Sequence, residues 1–464
     1  MTSGVSFIAD SSWRRPENGN VVLAGSPLKL FSLSQAGQTI AECIERAQPL
    51  PQGHEVLTDR LLNAGAIHPI PSAADSARFA LNTVTAVVPA YIRTAQDAAA
   101  LKSLVDSCSA LHSVVVIDDC SPHALPDLGA ARVIRLKTNS GPAAARNAGI
   151  ATVDTEFIAC IDVDVSITDR TISQLLPYFA DDSVALVAPR VKSHVSTNFI
   201  GEYEVAASVL DMGETEARVC AGTRVGYVPS AIWLCRTTAL RSISGFDESL
   251  RSGEDVDMVW RLNDAGWRCR YQPQAECSHL PRTSLQKFLL QRVSYGASAA
   301  ALAKRHTGKL APAKFNVWQA STWLLVLLGM PFIALGVAIV ASASTAQKLR
   351  RFPQLRDESF RISLRGTAQS AQSAASAINR VWWPIAFILA VFSQRLRVLF
   401  IAAALAPAVY EWWIKRPHLD VVRFTLMKML DNAAYGAGVW KGVIAQRNAA
   451  PLIPIVKKSA ANAE

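Results

Sequence analysis

The stretch FIACIDVDVSITD, residues 157–169, places two carboxylates, Asp162 and Asp164, two positions apart after an apolar run. Carboxylate oxygens are the ligands that hard cations such as Mg²⁺ prefer, so a metal site is one interpretation. Acidic residues are also common turn formers after a strand, so a strand that ends in a solvated turn is the other. The stretch alone leaves both interpretations open.

Polar side chains end three apolar runs of the chain. The three sets are Pro89, Tyr91 and Arg93; Asp118, Asp119 and Ser121; and Asp162 and Asp164. Apolar runs without alternation predict strands covered on both faces, as in a mainly parallel α/β sheet. Ligands bind such sheets beyond the carboxyl ends of the strands. We therefore expect the three sets to converge on one crevice.

A helix is predicted between the third and fourth strands, in the stretch NSGPAAARNAGI from Asn139 to Ile150. Gly141 and Pro142 are typical of a helix start, and the small residues after them allow close packing on the sheet. Arg146 lies about one turn in, where a guanidinium can meet a phosphate or the face of a base. An ordinary capped helix with a surface arginine is the alternative.

A second acidic pair, Glu254 and Asp255, is predicted to begin a helix that ends at Gly266. The helix dipole favours acids in a first turn, so capping alone could account for them. The same dipole keeps a carboxylate ionised, which suits a general base. His279 follows the next predicted strand, and a lone histidine is more often structural than a ligand.

Taken in order, these motifs resemble glycosyltransferase family 2 over roughly residues 83–285. The motifs that carry the resemblance are Pro89-Ala-Tyr91, Asp118-Asp119-x-Ser121, Asn139-x-Gly141 with Ala145-Arg146-Asn147-x-Gly149, Asp162-x-Asp164, Gly245-Phe246-Asp247-Glu248, Glu254-Asp255 and His279. The resemblance implies a GT-A fold, a nucleotide-sugar donor, a divalent metal (Mn²⁺ or Mg²⁺) and inversion at the anomeric carbon.

The resemblance also implies a nucleotide-sugar site at the first strand ends. Either Asp119 or Asp118 would accept a hydrogen bond from the base, and Arg146 would lie beside the nucleotide. Asp162 would contact the ribose. The residues Pro89, Tyr91 and Arg93 are assigned to the same nucleotide-sugar site.

For the reacting groups, the resemblance implies that Asp164 binds the metal and that His279 is a further ligand if the metal is Mn²⁺. Asp255 would be the base that takes the proton of the acceptor hydroxyl, and Glu254 would orient the acceptor. No protein acid is needed, because a metal-bound diphosphate leaves readily.

One stretch departs from the family pattern. Gln291-Arg292-x-x-Tyr295 is only a degraded form of the Gln-x-x-Arg-Trp motif of processive members. Processivity therefore stays open.

The whole chain has a narrower resemblance, to the family 2 enzymes of the actinobacterial mycofactocin system. Three parts carry it: an N-terminal module, the family 2 domain and an apolar, basic C-terminal region. It implies glucose transfer from UDP-glucose to a redox cofactor made from a peptide, extended as a β-1,4-linked oligosaccharide.

Three domains are predicted: residues 1–78, 79–310 and 311–464. In the first, apolar runs on both sides of Gly25-Ser26-Pro27 predict a hairpin, and two helices follow, the second ending at Gly65. This order suggests a winged-helix-like module, which resembles small peptide-binding domains and would suit a peptide-derived acceptor. Pro69, Pro71 and the residues after them are predicted to form a linker.

The net charge of +10 is concentrated at one end of the chain. Residues 343–464 hold 17 Lys and Arg against 6 Asp and Glu. Because this region is also strongly apolar, it favours an anionic membrane surface over nucleic acid. A solvated basic tail is the alternative. The eight scattered cysteines indicate neither zinc nor disulfides, and the first 20 residues contain no apolar signal segment.

The membrane interpretation depends on two apolar segments. The twenty uncharged residues from Trp323 to Ser342 are long enough to cross a bilayer. Charges near Arg395 divide the stretch from Val381 to Trp413 into two shorter pieces, which suggests interfacial helices.

The orientation of the chain at the membrane is a separate question, because the catalytic domain should face the cytosol at the cell membrane. A single crossing would export a basic segment, against the positive-inside rule, and this segment contains Lys348, Arg350, Arg351, Arg356, Arg361, Arg365 and Arg380. A true crossing, an interfacial hairpin and a soluble helical cap therefore stay open.

Two other functions compete with the leading one. A family 2 transferase could act on a polyprenyl phosphate or a cell-envelope glycan, neither of which requires the N-terminal module. The chain could also be a non-catalytic peptide-binding protein with an inactive sheet. A sugar nucleotidyltransferase is disfavoured, because no glycine-rich loop follows the first strand of the sheet.

Overall fold

The computed structural model describes residues 6–348, 352 and 355–457. Among these residues the chain forms two compact units. The first unit contains residues 6–15, 22–195 and 207–281, and the second contains residues 16–21, 196–206 and 282–457 as far as they are described. The predicted N-terminal module and most of the predicted catalytic domain thus share one unit. The boundaries at residues 78 and 310 stay predictions.

The N-terminal module is built from two small sheets and three helices. Its elements are β1 Ser6–Ala9, β2 Val21–Ala24, β3 Lys29–Ser32, α1 Gln35–Glu45, α2 Glu55–Ala64, β4 Ile67–Ile70 and α3 Ala73–Arg78. The predicted hairpin is present as the pair β2 and β3. The helix α2 ends at Gly65, whose φ of 65° is a left-handed conformation that glycine adopts readily.

The predicted linker after this module is wrong. Pro69 lies in β4, which pairs antiparallel with β1. A proline is tolerated there because each strand of a two-stranded sheet is an edge and one side of it needs no N–H donor. The Ser72 hydroxyl then caps α3 by accepting from the Asp75 N–H. Pairing with a strand whose residues are 58 to 64 positions away cannot be read from local composition.

A nine-stranded sheet forms the core of the first unit. Its strands are β5 Val84–Ala90, β6 Ser113–Asp118, β7 Arg132–Arg135, β8 Phe157–Ile161, β9 Val165–Ser166, β10 Val184–Ser193, β11 Ala217–Arg218, β12 Ile232–Arg236 and β13 Arg268–His279. They run in the order β11-β13-β10-β12-β8-β5-β6-β7, with β9 paired to β13.

The four strands β5 to β8 are parallel, as the sequence predicts. β5 pairs with both β6 and β8, and β6 pairs with β7. β12 is antiparallel to its two neighbours, and β10 is parallel to β13. All five residues of β8 are buried, in keeping with a strand covered on both faces. The mainly parallel α/β sheet is confirmed.

Helices cover this sheet and carry part of the candidate site. They are α4 Ala95–Ser107, α5 Pro142–Ile150, α6 Asp169–Leu175, α8 Thr237–Ser242 and α9 Glu254–Asp264; α7 Phe199–Ala207 lies almost wholly in the second unit. α5 packs especially close to the sheet, since a Cβ on Gly149 would lie 2.4 Å from Val87 Cγ1 of β5. This close packing brings Arg146, one turn earlier in α5, to the carboxyl edge of the sheet.

The second unit is mainly helical. Its further elements are α10 Leu285–Arg305, β14 Lys314–Asn316, α11 Val317–Leu327, α12 Pro331–Lys348, α13 Arg356–Ala377, α14 Trp383–Phe392, α15 Gln394–Lys415, α16 Val421–Gln446 and β15 Ile455–Lys457. α10 and α16 approach closely through glycines. A Cβ on Gly296 would lie 2.0 Å from the Tyr435 carbonyl oxygen, and one on Gly438 would lie 2.1 Å from that of Val293.

The apolar segments differ from the two predicted ones. Residues 323–342 do not form one helix, because α11 ends before Gly329, whose φ is 79°, and α12 begins at Pro331. The second region is longer than predicted: a helical stretch runs from Arg361 to Phe392, and α15 follows after a break at Ser393. By length and composition, these two are the candidate spans among the residues described. The predicted basic segment lies partly outside the residues that the structure describes. This holds for the side chains of Lys348, Arg350, Arg351 and Arg356.

Candidate active site

Hydrogen bonds join the ends of β5 and β6. The Asp118 carboxylate is fully buried and accepts from the Ser121 N–H at 2.8 Å and from Arg135 Nη1 at 2.6 Å. The Ser121 hydroxyl oxygen in turn accepts from the Ile92 N–H at 2.8 Å. Asp118 therefore fixes the loops that follow both strands.

The second acid of this pair holds the start of α5. The Asp119 carboxylate accepts from the N–H of Ser140 at 2.7 Å and of Gly141 at 2.8 Å, one bond to each oxygen. Gly141 has a φ of 93°, which a residue with a side chain rarely adopts. Each carboxylate oxygen keeps a second lone pair, so the predicted contact with a base stays compatible with this arrangement.

The residues after β5 form an exposed rim. Tyr91 is 42% exposed, and the Arg93 guanidinium carbon lies 5.8 Å from the centre of the Tyr91 ring. Pro89 lies in β5 itself and pairs with Ile117 of β6. A flat aromatic ring beside a cation is a suitable surface for stacking a nucleobase.

Arg146 is the buried centre of the site. Its side chain is 2% exposed, its Nη2 donates to Asp162 Oδ1 at 2.7 Å, and its Nη1 donates to Glu254 Oε1 at 2.9 Å. Its guanidinium carbon also lies 5.4 Å from the ring centre of Phe246. Arg146 thus joins Asp162, at the end of β8, to Glu254, at the start of α9. The contact of Arg146 with a nucleotide stays a prediction.

Burial and the neighbouring acids act in opposite directions on this arginine. Burial lowers the pKa of Arg146, but Asp162 and Glu254 more than offset that effect, so its pKa lies above the ordinary value. For Asp162, burial raises the pKa to about 6, against the attraction of Arg146 and with a further contribution from the Asp164 charge. Arg146 is therefore a fixed cation in a cluster of acids.

Asp164 and His279 lie together at the junction of β9 and β13. Asp164 Oδ2 is 3.1 Å from His279 Nε2, and Val165 pairs with His279 across the two strands. The histidine is 8% exposed, whereas the Asp164 side chain is about one-third exposed. The two predicted metal ligands are thus adjacent, and Asp164 is the one with the more exposed side chain.

This pair fits a divalent ion. Two adjacent ligands of an octahedral ion, each about 2.1 Å from it, lie about 3 Å apart, which agrees with the Asp164–His279 distance. Among the described parts of the chain, no three His, Cys, Asp or Glu side chains are grouped to hold an ion by themselves. Oxygens of a diphosphate or waters would have to complete the coordination, as is usual for Mg²⁺.

Asp255 lies in the first turn of α9, where its carboxylate meets two backbone donors. Oδ2 accepts from the Ser230 N–H at 3.2 Å, and Oδ1 accepts from the N–H of Val256 at 2.8 Å. Burial and the adjacent Glu254 charge raise the pKa of Asp255 to about 7, although both N–H bonds and Arg146 oppose the rise. A carboxylate with this pKa can accept a proton near neutral pH.

A loop whose role the sequence did not predict is hydrogen-bonded to α5. The Asn147 side chain accepts from the Phe246 N–H at 2.8 Å and donates to the Phe246 carbonyl and to Glu248 Oε1, both at 2.9 Å. Gly245 leaves room for this amide, because a Cβ there would lie 2.4 Å from Asn147 Oδ1. These residues were predicted as motif positions, but no role was derived for them.

Ser230 is the other residue that sequence reasoning missed. It acts through its backbone N–H, so its side-chain type gave no signal. The segment that contains it precedes β12, and the next residue, Ala231, accepts from the Asp162 N–H at 2.9 Å through its carbonyl oxygen. The backbone of Ser230 and Ala231 thus contacts both Asp162 and the candidate base Asp255.

The chain is similar to proteins of one known family. Residues 85–243 match the model of the family described as Glycosyl transferase family 2. Proteins named pre-mycofactocin glycosyltransferase, from two strains of Mycobacterium tuberculosis, are 35% identical over 475 residues, which is 98% of this chain and 99% of theirs. The family-model match ends before Glu254, Asp255 and His279, whereas the full-length similarity includes them.

Two further similarities are partial. The succinoglycan biosynthesis protein ExoO of Rhizobium meliloti is 30% identical over 207 residues, 41% of this chain and 59% of that protein. Among solved structures, a Pyrobaculum calidifontis mannosyltransferase in complex with GDP-Man and Mn²⁺ has a TM-score of 0.38 at 15% identity, covering 64% of this chain and 88% of that one.

Proposed function

We propose that this chain, which belongs to glycosyltransferase family 2, transfers glucose from UDP-glucose to a hydroxyl group of pre-mycofactocin. Membership of the family follows from the full-length similarity to pre-mycofactocin glycosyltransferase, and the chain is accordingly a hexosyltransferase. The donor UDP-glucose, inversion at the anomeric carbon and growth of a β-1,4-linked oligoglucoside are parts of the proposal. The name of that relative supports the choice of acceptor.

One observation carries the mechanism. Arg146 binds Asp162 with one nitrogen and Glu254 with another, so the acids assigned to donor and acceptor line the same crevice. Asp255, next to Glu254, is then beside the place where a sugar held at Asp162 and Asp164 would react. The crevice lies beyond the carboxyl ends of the parallel strands, where ligands of such sheets bind.

In the proposed reaction, Asp255 takes the proton of the acceptor hydroxyl while that oxygen attacks the anomeric carbon. The bond from this carbon to the diphosphate breaks on the opposite face, which inverts the configuration. Glu254, held by Arg146, orients the acceptor. Asp162 positions the ribose. Asp118 and Asp119 keep the loops around the nucleobase in place.

The residues Asp164 and His279 would hold the divalent ion. When bound, Mn²⁺ or Mg²⁺ offsets the charge that develops on the departing diphosphate. Mn²⁺ accepts both carboxylate and imidazole ligands, whereas Mg²⁺ prefers oxygen, so the nearby histidine favours Mn²⁺.

A lipid-linked acceptor is the second candidate. Large apolar side chains are exposed along the Arg361–Phe392 and Gln394–Lys415 helices of the second unit. Only 17% and 6% of the apolar 18-residue stretch in each helix is buried. An enzyme that acts on a polyprenyl phosphate or an envelope glycan would need such a surface. The N-terminal module, which these acceptors do not require, favours the peptide-derived acceptor.

We also propose that the second unit attaches to the cytoplasmic face of the cell membrane. Its apolar helices supply exposed hydrophobic surface, and its excess of Lys and Arg would be attracted to anionic lipids. The catalytic residues would then face the cytosol, where nucleotide sugars are made.

The reaction can be tested by mass spectrometry. We expect hexose units to be added to pre-mycofactocin from UDP-glucose with Mn²⁺, and not to a polyprenyl phosphate. Asp255→Asn should lower kcat by about 10²- to 10⁴-fold, the usual contribution of a general base, with UDP affinity retained. Asp264→Asn, the same change at the far end of α9, is the matched control and should turn over like the parent protein.

The pH dependence follows from the same carboxylate. Only ionised Asp255 can accept a proton, so kcat/KM should fall as the pH drops through about 7. Modification of the polyprenyl phosphate alone would contradict the proposed acceptor. Turnover by Asp255→Asn at the rate of its control would contradict the assignment of the base.

The metal site can be tested separately from turnover. EDTA should stop transfer, and added Mn²⁺ should restore it. Asp164→Ala should abolish Mn²⁺-dependent transfer and weaken Mn²⁺ binding measured by electron paramagnetic resonance in the presence of UDP. Asp162→Ala should chiefly raise the Kd for UDP, whereas Asp154→Ala, an exposed acid of the same unit, should change neither. Transfer that is indifferent to EDTA would show that no metal is required.

Membrane attachment can be tested by vesicle flotation. The full chain should float with vesicles that contain anionic lipid and bind less to pure phosphatidylcholine vesicles, since part of the attraction is electrostatic. Because burial of apolar helices is not screened by salt, part of the bound protein should resist 1 M NaCl. Recovery of all the protein in the unbound fraction with both vesicle types would exclude this proposal.

A further inference from the structure

The N-terminal module is fastened to the catalytic sheet by buried charges. Asp10, next to β1, is 3% exposed and accepts from His68 Nε2 of β4 at 2.9 Å. Arg224, from the segment between β11 and β12, donates to the same carboxylate. Burial raises the pKa of Asp10, but these hydrogen bonds and those from Ser12 outweigh it, so its pKa lies well below the ordinary range. The Asp10 carboxylate is therefore ionised, and its buried charge is balanced by His68 and Arg224.

Two arginines of β13 extend this contact. Arg270 Nη2 donates to Glu216 Oε1 at 2.9 Å and lies 3.3 Å from His68 Nδ1. Arg268 Nη2 donates to Asp59 Oδ1 of α2 at 2.8 Å. The Asp59 side chain is 54% exposed, so its pair with Arg268 lies at the edge of the contact, whereas the pair at Asp10 is the buried one. The module is thus docked at one defined position on the β11–β13 edge of the sheet.

Two further hydrogen bonds join Arg224 to the module. Its backbone N–H donates to the Ser26 hydroxyl oxygen at 2.7 Å, and its Nη1 donates to the Ser11 hydroxyl oxygen at 2.9 Å. The turn that carries Arg224 is itself braced, because the Thr223 hydroxyl lies 2.7 Å from the Cys220 carbonyl oxygen and 2.8 Å from that of Val225. A shift of the module would therefore move the turn at residues 220–225 as a rigid unit.

The chain that follows leads directly to the candidate base. In residues 224–230, here called the connecting segment, Val225 and Val228 are buried. The Gly226 carbonyl oxygen accepts from Trp260 Nε1 of α9 at 2.8 Å. At the end of the segment, the Ser230 N–H donates to Asp255 Oδ2 at 3.2 Å. The segment is thus held by the module at one end and by the catalytic helix at the other.

We propose that Arg224 is a positioning residue: through the connecting segment, the docked N-terminal module holds the Ser230 N–H against the carboxylate of Asp255. The inference rests on the proposed function in taking Asp255 as the base. The module then has a role in catalysis besides any binding of the acceptor. Its position on the sheet contributes to how the base is oriented and how readily it is ionised.

The charges around Asp255 indicate the direction of the effect. Glu254, in the same turn, opposes ionisation of Asp255, and Arg146 favours it while being shared with Asp162 and Glu254. The N–H groups of Ser230 and Val256 favour the ionised form. Loss of the Ser230 contact should therefore raise the pKa of Asp255, while the groups of α5 and α9 stay in place.

The test uses the full-length protein with changes on both sides of the contact. Arg224→Ala removes the contact from the catalytic side. Asp10→Asn weakens the same contact from the module side, at a residue that lies farther from Asp255 along the chain of contacts. In both variants we expect faster amide hydrogen exchange in residues 225–230. We also expect the acid limb of kcat/KM to move to higher pH by about half to one pH unit, the size expected for one hydrogen bond. Arg224→Lys, which keeps the charge, should recover part of the change.

The control is Arg78→Ala, which removes an exposed arginine of the same unit that pairs with the exposed Asp182. It should leave both readouts unchanged. UDP affinity should be retained in all variants, which shows that they are folded. Parental amide exchange in residues 225–230, or an unmoved acid limb, in Arg224→Ala and Asp10→Asn would overturn the proposal. If the parent protein transferred no sugar, the proposed function would fail, and the exchange measurement would still decide whether the module holds the segment.

Discussion

The pairing of one buried guanidinium with two carboxylates is the constraint on which the site depends. Arg146 is almost fully buried, so its charge must be balanced within the protein. It is balanced by Asp162, at the end of β8, and by Glu254, at the start of α9. Asp162 and Glu254 are 92 residues apart in the sequence. α5 can carry Arg146 between them because Gly149 allows the helix to approach β5 closely.

The same cluster explains why a cation fits the site. Asp162 and Glu254 contact the Arg146 guanidinium. Asp164 is close enough to Asp162, and Asp255 to Glu254, for their charges to interact, so acids outnumber the one guanidinium here. Like charges in a buried site raise each other's pKa, which accounts in part for the raised pKa of Asp162 and Asp255. A divalent ion at Asp164 and His279 would offset this excess when a negatively charged donor binds.

The sequence predicted the parts of the fold that local patterns determine. The buried parallel strands, the acids at their ends and the family were correctly predicted, because apolar runs and strand-end residues are local signals. The partners of Arg146 were not predicted, since they depend on how distant elements pack. For the same reason the pairing of β4 with β1 was missed, and a linker was predicted in its place. The break at Gly329 was overlooked because hydropathy records composition and not backbone conformation.

The most direct measurement of the central claim is the free energy of unfolding of two variants. Arg146→Met alone leaves two carboxylates without their buried partner and should cost about 3 kcal/mol in urea denaturation. The triple variant Arg146→Met/Asp162→Asn/Glu254→Gln removes all three charges and should recover most of that loss. If Arg146→Met cost no more than a surface substitution, or if the triple variant were less stable than the single one, the buried pairing would not be the interaction that holds the site together.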